Sequence, residues 1–367
     1  MEEKNQFVSE IKRKKNKNNK IHKKSYHIII LCLIIINILL ILIIFLLFKK
    51  LKKNSNNQRI FEYRSDKLEE NNKKNQIHIS MALDNNFVYP TLVSMTSALE
   101  NNNKKNNIII YHLLLSYDFD KKNIKIFDSL KSKYDVKIHY YIIPDIFKNF
   151  RGWSGGTNTI YNKLLIPLIF HDLERIIFLD SDTLIFKDIY EMYNLPFKDN
   201  YILGYPFHDS YKVDKFAKNI TYYINGGVLL FNIEKIRNDN KDIELIRFTY
   251  ENNSQLWFLE QDTINIVFYQ KVGLLPLKYG IYMYGNMTTF EKSVQNRIKF
   301  KLNKEEVINA IKDPSIVHFS CCNPKIWKRF SSNEFGDDSI CKRFHDDFYH
   351  YAKMTNYFSD IYMKYME

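Results

Sequence analysis

The chain has 367 residues, a net charge of +13 and four cysteines, none of them in a paired C-x-x-C arrangement, so a cysteine-ligated zinc module is excluded. Residues 1–75 carry +11 of the net charge and the remaining 292 only +2. A basic nucleic-acid-binding fold does not fit that distribution, because a phosphate-backbone footprint needs its positive charge on the folded part.

Residues 1–27 are Lys/Asn-rich without an apolar period and read as a basic cytoplasmic tail. Ile28 to Phe48 is an uncharged run of 21 residues with a single amide, Asn37, and lysines on both flanks. It predicts one membrane-spanning signal anchor. Eight basic residues between Lys12 and Lys24 outnumber the four in 49–53, which places the N-terminus in the cytoplasm and the rest in the lumen. The expectation is a single-pass type II protein of the Golgi or ER membrane. Residues 49–75 read as a stem, 76–330 as the catalytic domain and 331–367 as a C-terminal helical extension. In an oxidising lumen Cys341 could pair with Cys321 or Cys322, or all three could stay reduced.

Past the stem, apolar runs of strand length alternate with helical periods. Strands are predicted at 76–83, 107–115, 136–143, 175–179 and 227–231, and helices at 88–101, 118–133, 157–170 (interrupted at Pro167) and 261–269. The order predicts an α/β fold with a mostly parallel, Rossmann-like sheet flanked by helices. The run Arg175-Ile176-Ile177-Phe178-Leu179 ends in Asp180-Ser181-Asp182. Carboxylates at i and i+2 at a strand's C-terminal end can converge on a hard divalent cation, at the edge where open α/β sheets bind ligands.

Four further segments follow a recognisable order: Met81-Ala82-Leu83-Asp84-Asn85-Asn86; Tyr161-Asn162-Lys163; Tyr223-Ile224-Asn225-Gly226-Gly227 with Glu260-Gln261-Asp262; and His318-Phe319-Ser320 with Lys325. With the carboxylate pair they resemble glycosyltransferase family 8, which includes glycogenin and bacterial lipopolysaccharide glucosyl- and galactosyltransferases. The resemblance implies a GT-A fold and transfer, with retention, of a hexose from a nucleotide sugar, UDP-glucose or UDP-galactose, to an unknown glycan, protein or lipid acceptor. It implies Mn²⁺ held by Asp180, Asp182 and His318. It also implies donor binding by Ala82, Asp84, Asn86, Lys163, Asp180, Ser181, Asn225, Gly226, Gly227 and Lys325, with Gln261 stabilising the cationic transition state and Asp262 binding sugar hydroxyls.

Two positions depart from the family pattern. Lys163 stands where the family usually has arginine, and Cys321 where it commonly has glycine. They leave room for an alternative, a catalytically silent, membrane-anchored protein that binds sugar nucleotides or glycans on the same fold. Intact Asp180, Asp182, His318 and Gln261 favour the enzyme.

Overall fold

The computed structural model describes residues 62–64, 75–152, 158–207, 216, 222–284, 302–321, 325–329 and 340–366, all within one compact unit, Phe61–Glu367. The expected membrane anchor, 28–48, lies outside the described residues. Among the described residues no helix is long and apolar enough to cross a membrane.

Eleven strands are described: β1 (Glu62–Arg64), β2 (Asn75–Leu83), β3 (Asn107–Leu115), β4 (Val136–Ile142), β5 (Arg175–Leu179), β6 (Thr183–Ile185), β7 (Ile202–Phe207), β8 (Tyr223–Asn232), β9 (Val272–Leu274), β10 (Tyr279–Tyr284) and β11 (Ile316–Cys321). The longer helices are α1 (Val88–Asn101), α2 (Ile233–Asn238), α3 (Lys241–Asn252), α4 (Glu260–Val267), α5 (Lys304–Lys312), α6 (Ile340–Ala352) and α7 (Phe358–Met366).

Eight strands form one sheet in the order β1-β4-β3-β2-β5-β8-β7-β9. Its centre, β4-β3-β2-β5, is parallel, as the alternating strands and helices imply. The sheet is nevertheless mixed rather than mostly parallel: β1, β8 and β7 each join antiparallel. A parallel neighbour needs a crossover of a dozen or more residues, usually helical, whereas an antiparallel one needs only a return loop. Between β5 and β7 the only described helix is the single turn Tyr190–Tyr193. β1 falls within the expected stem, so that segment adds an edge strand to the sheet.

β3 is buried at every position, as a fully apolar central strand must be. β5 sends Ile177 and Leu179 into one core cluster and Ile176 and Phe178 into the other, the period of two that a strand covered on both faces shows. Two predicted helices come out shorter. Over 118–133 the chain makes 3₁₀ turns at Lys121–Asn123 and Ser129–Ser132 around a five-residue helix, because Asp120 caps the Lys122 N–H and the Ser129 and Ser132 hydroxyls return to nearby carbonyls. In 158–169 a 3₁₀ stretch precedes a short helix whose first turn holds Pro167, so the proline starts that helix rather than interrupting one.

A second sheet, β10-β11-β6, stands apart from the first. β6 pairs antiparallel with β11 through Thr183↔His318, Leu184↔Val317 and Ile185↔Ile316. That register carries His318 to the residue just beyond the carboxylate pair. The expected C-terminal extension is two helices, and Phe344, Phe348, Ala352 and Ile361 from them lie in the core cluster that also holds α1.

Candidate active site

β2 and β5 are parallel neighbours, so Ala82 and Asp84 at the end of one lie beside Asp180 at the end of the other. Ligands of open α/β sheets bind at this edge. The Ser181 hydroxyl donates to the Ala82 carbonyl at 3.4 Å and ties the carboxylate turn to β2. Asp84 is buried and accepts the Asn86 N–H at 2.8 Å, so its carboxylate shapes the turn that leaves Asn86 exposed.

Asp180, Asp182 and His318 converge, with ligand atoms all within 4.8 Å of one another. His318 Nε2 lies 3.4 Å from Asp180 Oδ2 and 3.2 Å from Asp182 Oδ1. Its other nitrogen, Nδ1, is 2.9 Å from Asn225 Oδ1. An amide oxygen can only accept, so Nδ1 carries the proton and Nε2 is left facing the carboxylates. The arrangement needs Gly227: a Cβ there would stand 2.0 Å from His318 Cε1. One imidazole, held through its other nitrogen by Asn225, and two carboxylates fit a divalent cation.

The electrostatics of this corner follow from buried charges of opposite sign. Burial pulls the His318 pKa down, but Asp182 and Asp180 outweigh it and raise it to about 9. Burial opposes ionisation of Asp182, yet Lys325 and His318 hold it well below the usual carboxylate range. Lys325 Nζ lies 2.6 Å from Asp182 Oδ2 and donates to the carbonyls of Phe319 and Ser320. The expected positive charge therefore stands beside the candidate metal ligands. Residues 322–324, and the side chain of Cys321, lie outside what is described, as do the side chains of Cys322 and Cys341.

The wall expected to face the donor sugar is arranged differently. Lys163 is 1% exposed. Its ammonium donates to Asp180 Oδ1 at 3.2 Å, Gly226 O at 2.9 Å and Glu260 Oε1 at 3.1 Å, over the Phe178 ring at 4.7 Å. An ammonium has three protons, so all are used. Burial alone would lower the Lys163 pKa, but Asp180 and Glu260 together raise it. Lys163 is thus a tripod under the site, bonded to Asp180, Gly226 and Glu260.

Asn225 is likewise engaged, its Oδ1 by His318 and the Gly227 N–H, its Nδ2 by Gln261 Oε1 at 3.3 Å. Gln261 Oε1 accepts the Gly226 N–H at 2.8 Å, and its Nε2 donates to the Tyr223 hydroxyl. Asp262 is 1% exposed. Oδ2 accepts the N–H groups of Trp257 and Phe258 at 2.6 and 2.7 Å, and Oδ1 accepts the Tyr223 hydroxyl at 2.5 Å. Asp262 thus has both carboxylate oxygens engaged within the protein. It clamps the loop into Leu259, whose φ of 55° and ψ of −123° are costly for a branched residue.

That clamp delivers a carboxylate that sequence reasoning quoted in its motif but assigned no role. Glu260 begins α4, is buried, and offers Oε1 to Lys163, while Oε2 has no partner among the described residues. Burial raises its pKa, Lys163 opposes the shift, and the net change is upward. A buried carboxylate oxygen with unused acceptor capacity is where a ligand donor belongs. The only sequence signal was an acid placed straight after the apolar run Leu256-Trp257-Phe258-Leu259.

Comparison with known proteins agrees with this geometry. The chain is 26% identical over 266 residues to lipopolysaccharide 1,2-glucosyltransferase of Escherichia coli, covering 69% of this chain and 73% of that protein. Among solved structures it resembles apo WbbM, a bifunctional glycosyltransferase, with a TM-score of 0.63 and 21% identity, covering 82% of this chain but only 53% of that one. It also resembles galactosyltransferase LgtC in complex with donor and acceptor sugar analogues, with a TM-score of 0.60 and 17% identity, over 76% of this chain and 96% of that one. These likenesses give the mixed sheet as GT-A-like. With residues 78–331 matching the family described as glycosyl transferase family 8, the chain belongs to that family and is a glycosyltransferase.

Proposed function

We propose that this enzyme is a retaining hexosyltransferase, taking glucose or galactose from a UDP-linked donor with Mn²⁺ held by Asp180, Asp182 and His318 and passing it to a glycan, protein or lipid acceptor. The observation that carries the reading is the convergence of two carboxylates and one imidazole, its tautomer set by Asn225, at the C-terminal edge of β5. A mixed nitrogen and oxygen donor set suits Mn²⁺ better than Mg²⁺ or Ca²⁺, which favour oxygen shells. Such an ion, when bound, supplies positive charge to a diphosphate leaving group.

The chain's own residues supply the rest. Lys325, already beside Asp182, adds a second positive charge at the diphosphate. Ala82 leaves room for the base, and Asp84 and Asn86 border the ribose. Glu260 Oε2 accepts a hydrogen bond from a donor-sugar hydroxyl. Gln261, an amide already bonded through its oxygen to the Gly226 N–H, is too weak a nucleophile for a covalent intermediate. It supports departure and attack on one face of the sugar, its dipole stabilising developing positive charge.

The membrane setting rests on the sequence run 28–48 and its flanking charges. It places the catalytic domain in the Golgi or ER lumen behind a type II signal anchor.

The test is to incubate the protein with Mn²⁺ and a panel of nucleotide sugars and follow release of the nucleoside diphosphate. Turnover of a UDP-hexose, lost in Asp182→Asn, is expected. Tight UDP-hexose binding without turnover under any acceptor or metal condition would instead favour a silent sugar-nucleotide-binding protein.

A further inference from the structure

Helix α1 follows directly on the 3₁₀ turn Asn85–Phe87 at the end of β2, and it carries a polar stripe made of the buried Ser94 and Ser97 and the half-buried Asn101. Hydroxyls inside helices usually return to their own backbone, as Thr96 does to the Leu92 carbonyl at 2.8 Å. Ser97 and Asn101 do more. Ser97 Oγ accepts the Ile185 N–H at 3.0 Å and Asn101 Nδ2 donates to the Ile185 carbonyl at 3.0 Å. β6 has a strand, β11, on one side only. On its other edge, two side chains of a helix thus make the pair of backbone bonds that a neighbouring strand would make.

Ser94 continues the connection toward the metal ligands. Its hydroxyl lies 2.9 Å from Thr183 Oγ1, and Thr183 Oγ1 lies 2.9 Å from the Asp180 carbonyl. A carbonyl only accepts, so the single Thr183 proton goes to Asp180 and Ser94 must donate to Thr183. The turn Asp180–Asp182 is therefore held from three directions. Ser94 acts through Thr183 at its start, Ser97 and Asn101 fix the strand that follows it, and the Phe319 N–H donates to the Asp182 carbonyl at 2.9 Å from the strand that carries His318.

We propose that Ser94, Ser97 and Asn101 are positioning residues that set the spacing of Asp180 and Asp182 for the cation, although none of the three is itself a ligand. The inference rests on the metal reading of Asp180, Asp182 and His318. The same helix supplies its own control: Thr91, one turn before Ser94, is fully buried, and its hydroxyl has no protein partner. Removing that hydroxyl changes polarity at a similar depth without removing a hydrogen bond to β6.

The experiment compares the full-length protein with Ser94→Ala, Ser97→Ala and Thr91→Val by two readouts, binding of Mn²⁺ alone by electron paramagnetic resonance and amide hydrogen exchange over 180–185. Loss of residues that orient metal ligands commonly weakens metal binding about ten- to a hundredfold. Ser94→Ala and Ser97→Ala are expected to weaken Mn²⁺ binding by about tenfold or more and to speed exchange at the turn and at Ile185, with Thr91→Val unchanged in both. Wild-type Mn²⁺ affinity in both serine variants, or an equal loss in Thr91→Val, would overturn the proposal. Should the unmodified protein bind no Mn²⁺, the metal reading fails. The exchange data then decide the positioning role separately, and unaltered exchange over 180–185 in Ser97→Ala rejects it.

Discussion

The metal corner and the donor-sugar wall share a boundary at Asp180 but are built on opposite principles. At the corner the functional atoms point inward at one another: His318 Nε2, an Asp180 oxygen and an Asp182 oxygen converge. Along the wall, Lys163, Asn225, Gln261 and Asp262 are bonded to each other and to backbone. Among the described residues of the wall, only Glu260 keeps a buried oxygen without a protein partner. A motif match thus identifies which residues meet, but not which of them face the ligand. Side chains deep in a wall satisfy one another because an unpaired buried polar group costs about 1 to 3 kcal/mol.

The strongest way to break this contrast is at the corner. Gly227→Ala places a methyl group 2.0 Å from a His318 ring atom, a separation that only displacement of the ring can relieve. We expect loss of divalent-dependent UDP-sugar turnover by about a thousandfold or more, equivalent to about 4 kcal/mol. Rates measured at saturating donor across a metal titration check it. A Gly227→Ala protein with unchanged rates would mean that His318 is not held where the metal set requires.

Next in size is the division of labour between Glu260 and Asp262. Asp262→Asn replaces an acceptor of three hydrogen bonds by an amide that can accept at only one atom, next to a backbone already strained at Leu259. Hydrogen bonds to a charged group contribute about 1.5 to 3 kcal/mol each, so the unfolding free energy should drop by about 3 kcal/mol. Glu260→Gln should leave the denaturation midpoint nearly in place and lower kcat/KM by about tenfold to a hundredfold. Urea melts and donor kinetics on both variants make the comparison. If Asp262→Asn were stable and inactive while Glu260→Gln were active, the two roles would have to be exchanged.

How far these regions were legible in the sequence follows the same physics. The parallel half could be read almost residue for residue. α1, β3 and β5 fall at 88–101, 107–115 and 175–179 as expected, since each is a long apolar run or a strong helical period bounded by turns. The other half was legible only at β8 and α4, expected at 227–231 and 261–269. β6, β9 and β11 are short, and α3 buries only Leu245, Ile246 and Thr249 along twelve residues, too sparse a stripe to separate from loop. Strand register was likewise invisible, and it is register, Thr183 against His318, that completes the metal set. The stripe of Ser94, Ser97 and Asn101 was hidden because hydroxyls on a helix ordinarily serve its own backbone.

Lys163 sharpens the contrast at a smaller scale. Read from the family pattern, Lys163→Arg should restore a planar donor contact and tighten donor binding. The structure reverses the sign. The side chain is fully enclosed, its three protons are used, and Phe178 closes one side. A larger guanidinium overpacks the cavity at about 1 to 3 kcal/mol and disturbs Asp180 and Glu260 together. Lys163→Arg is expected to lower both stability and donor affinity, by about five- to tenfold in the latter. Titrating UDP-hexose with Mn²⁺ while recording thermal midpoints decides it, and tighter binding by the arginine variant would show that the tripod opens to the donor.

The smallest expected effect lies one residue from the largest. At Gly226 an added Cβ would meet Lys163 Nζ, a Glu260 oxygen and Gln261 Cβ, all at 3.5 Å. Those are ordinary van der Waals separations, and the residue's backbone lies in strand β8, where alanine needs no unusual φ. Neither of its backbone bonds is lost, since the N–H still reaches Gln261 and the carbonyl still accepts from Lys163. Gly226→Ala should therefore change stability by less than about 1 kcal/mol and Mn²⁺ affinity not at all. It should raise KM for the donor only if the sugar passes over this backbone. Measured beside Gly227→Ala, it separates the need for backbone access by a ligand from the need for room by His318. A Gly226→Ala protein that loses metal binding would show that the wall and the corner are one rigid unit rather than two.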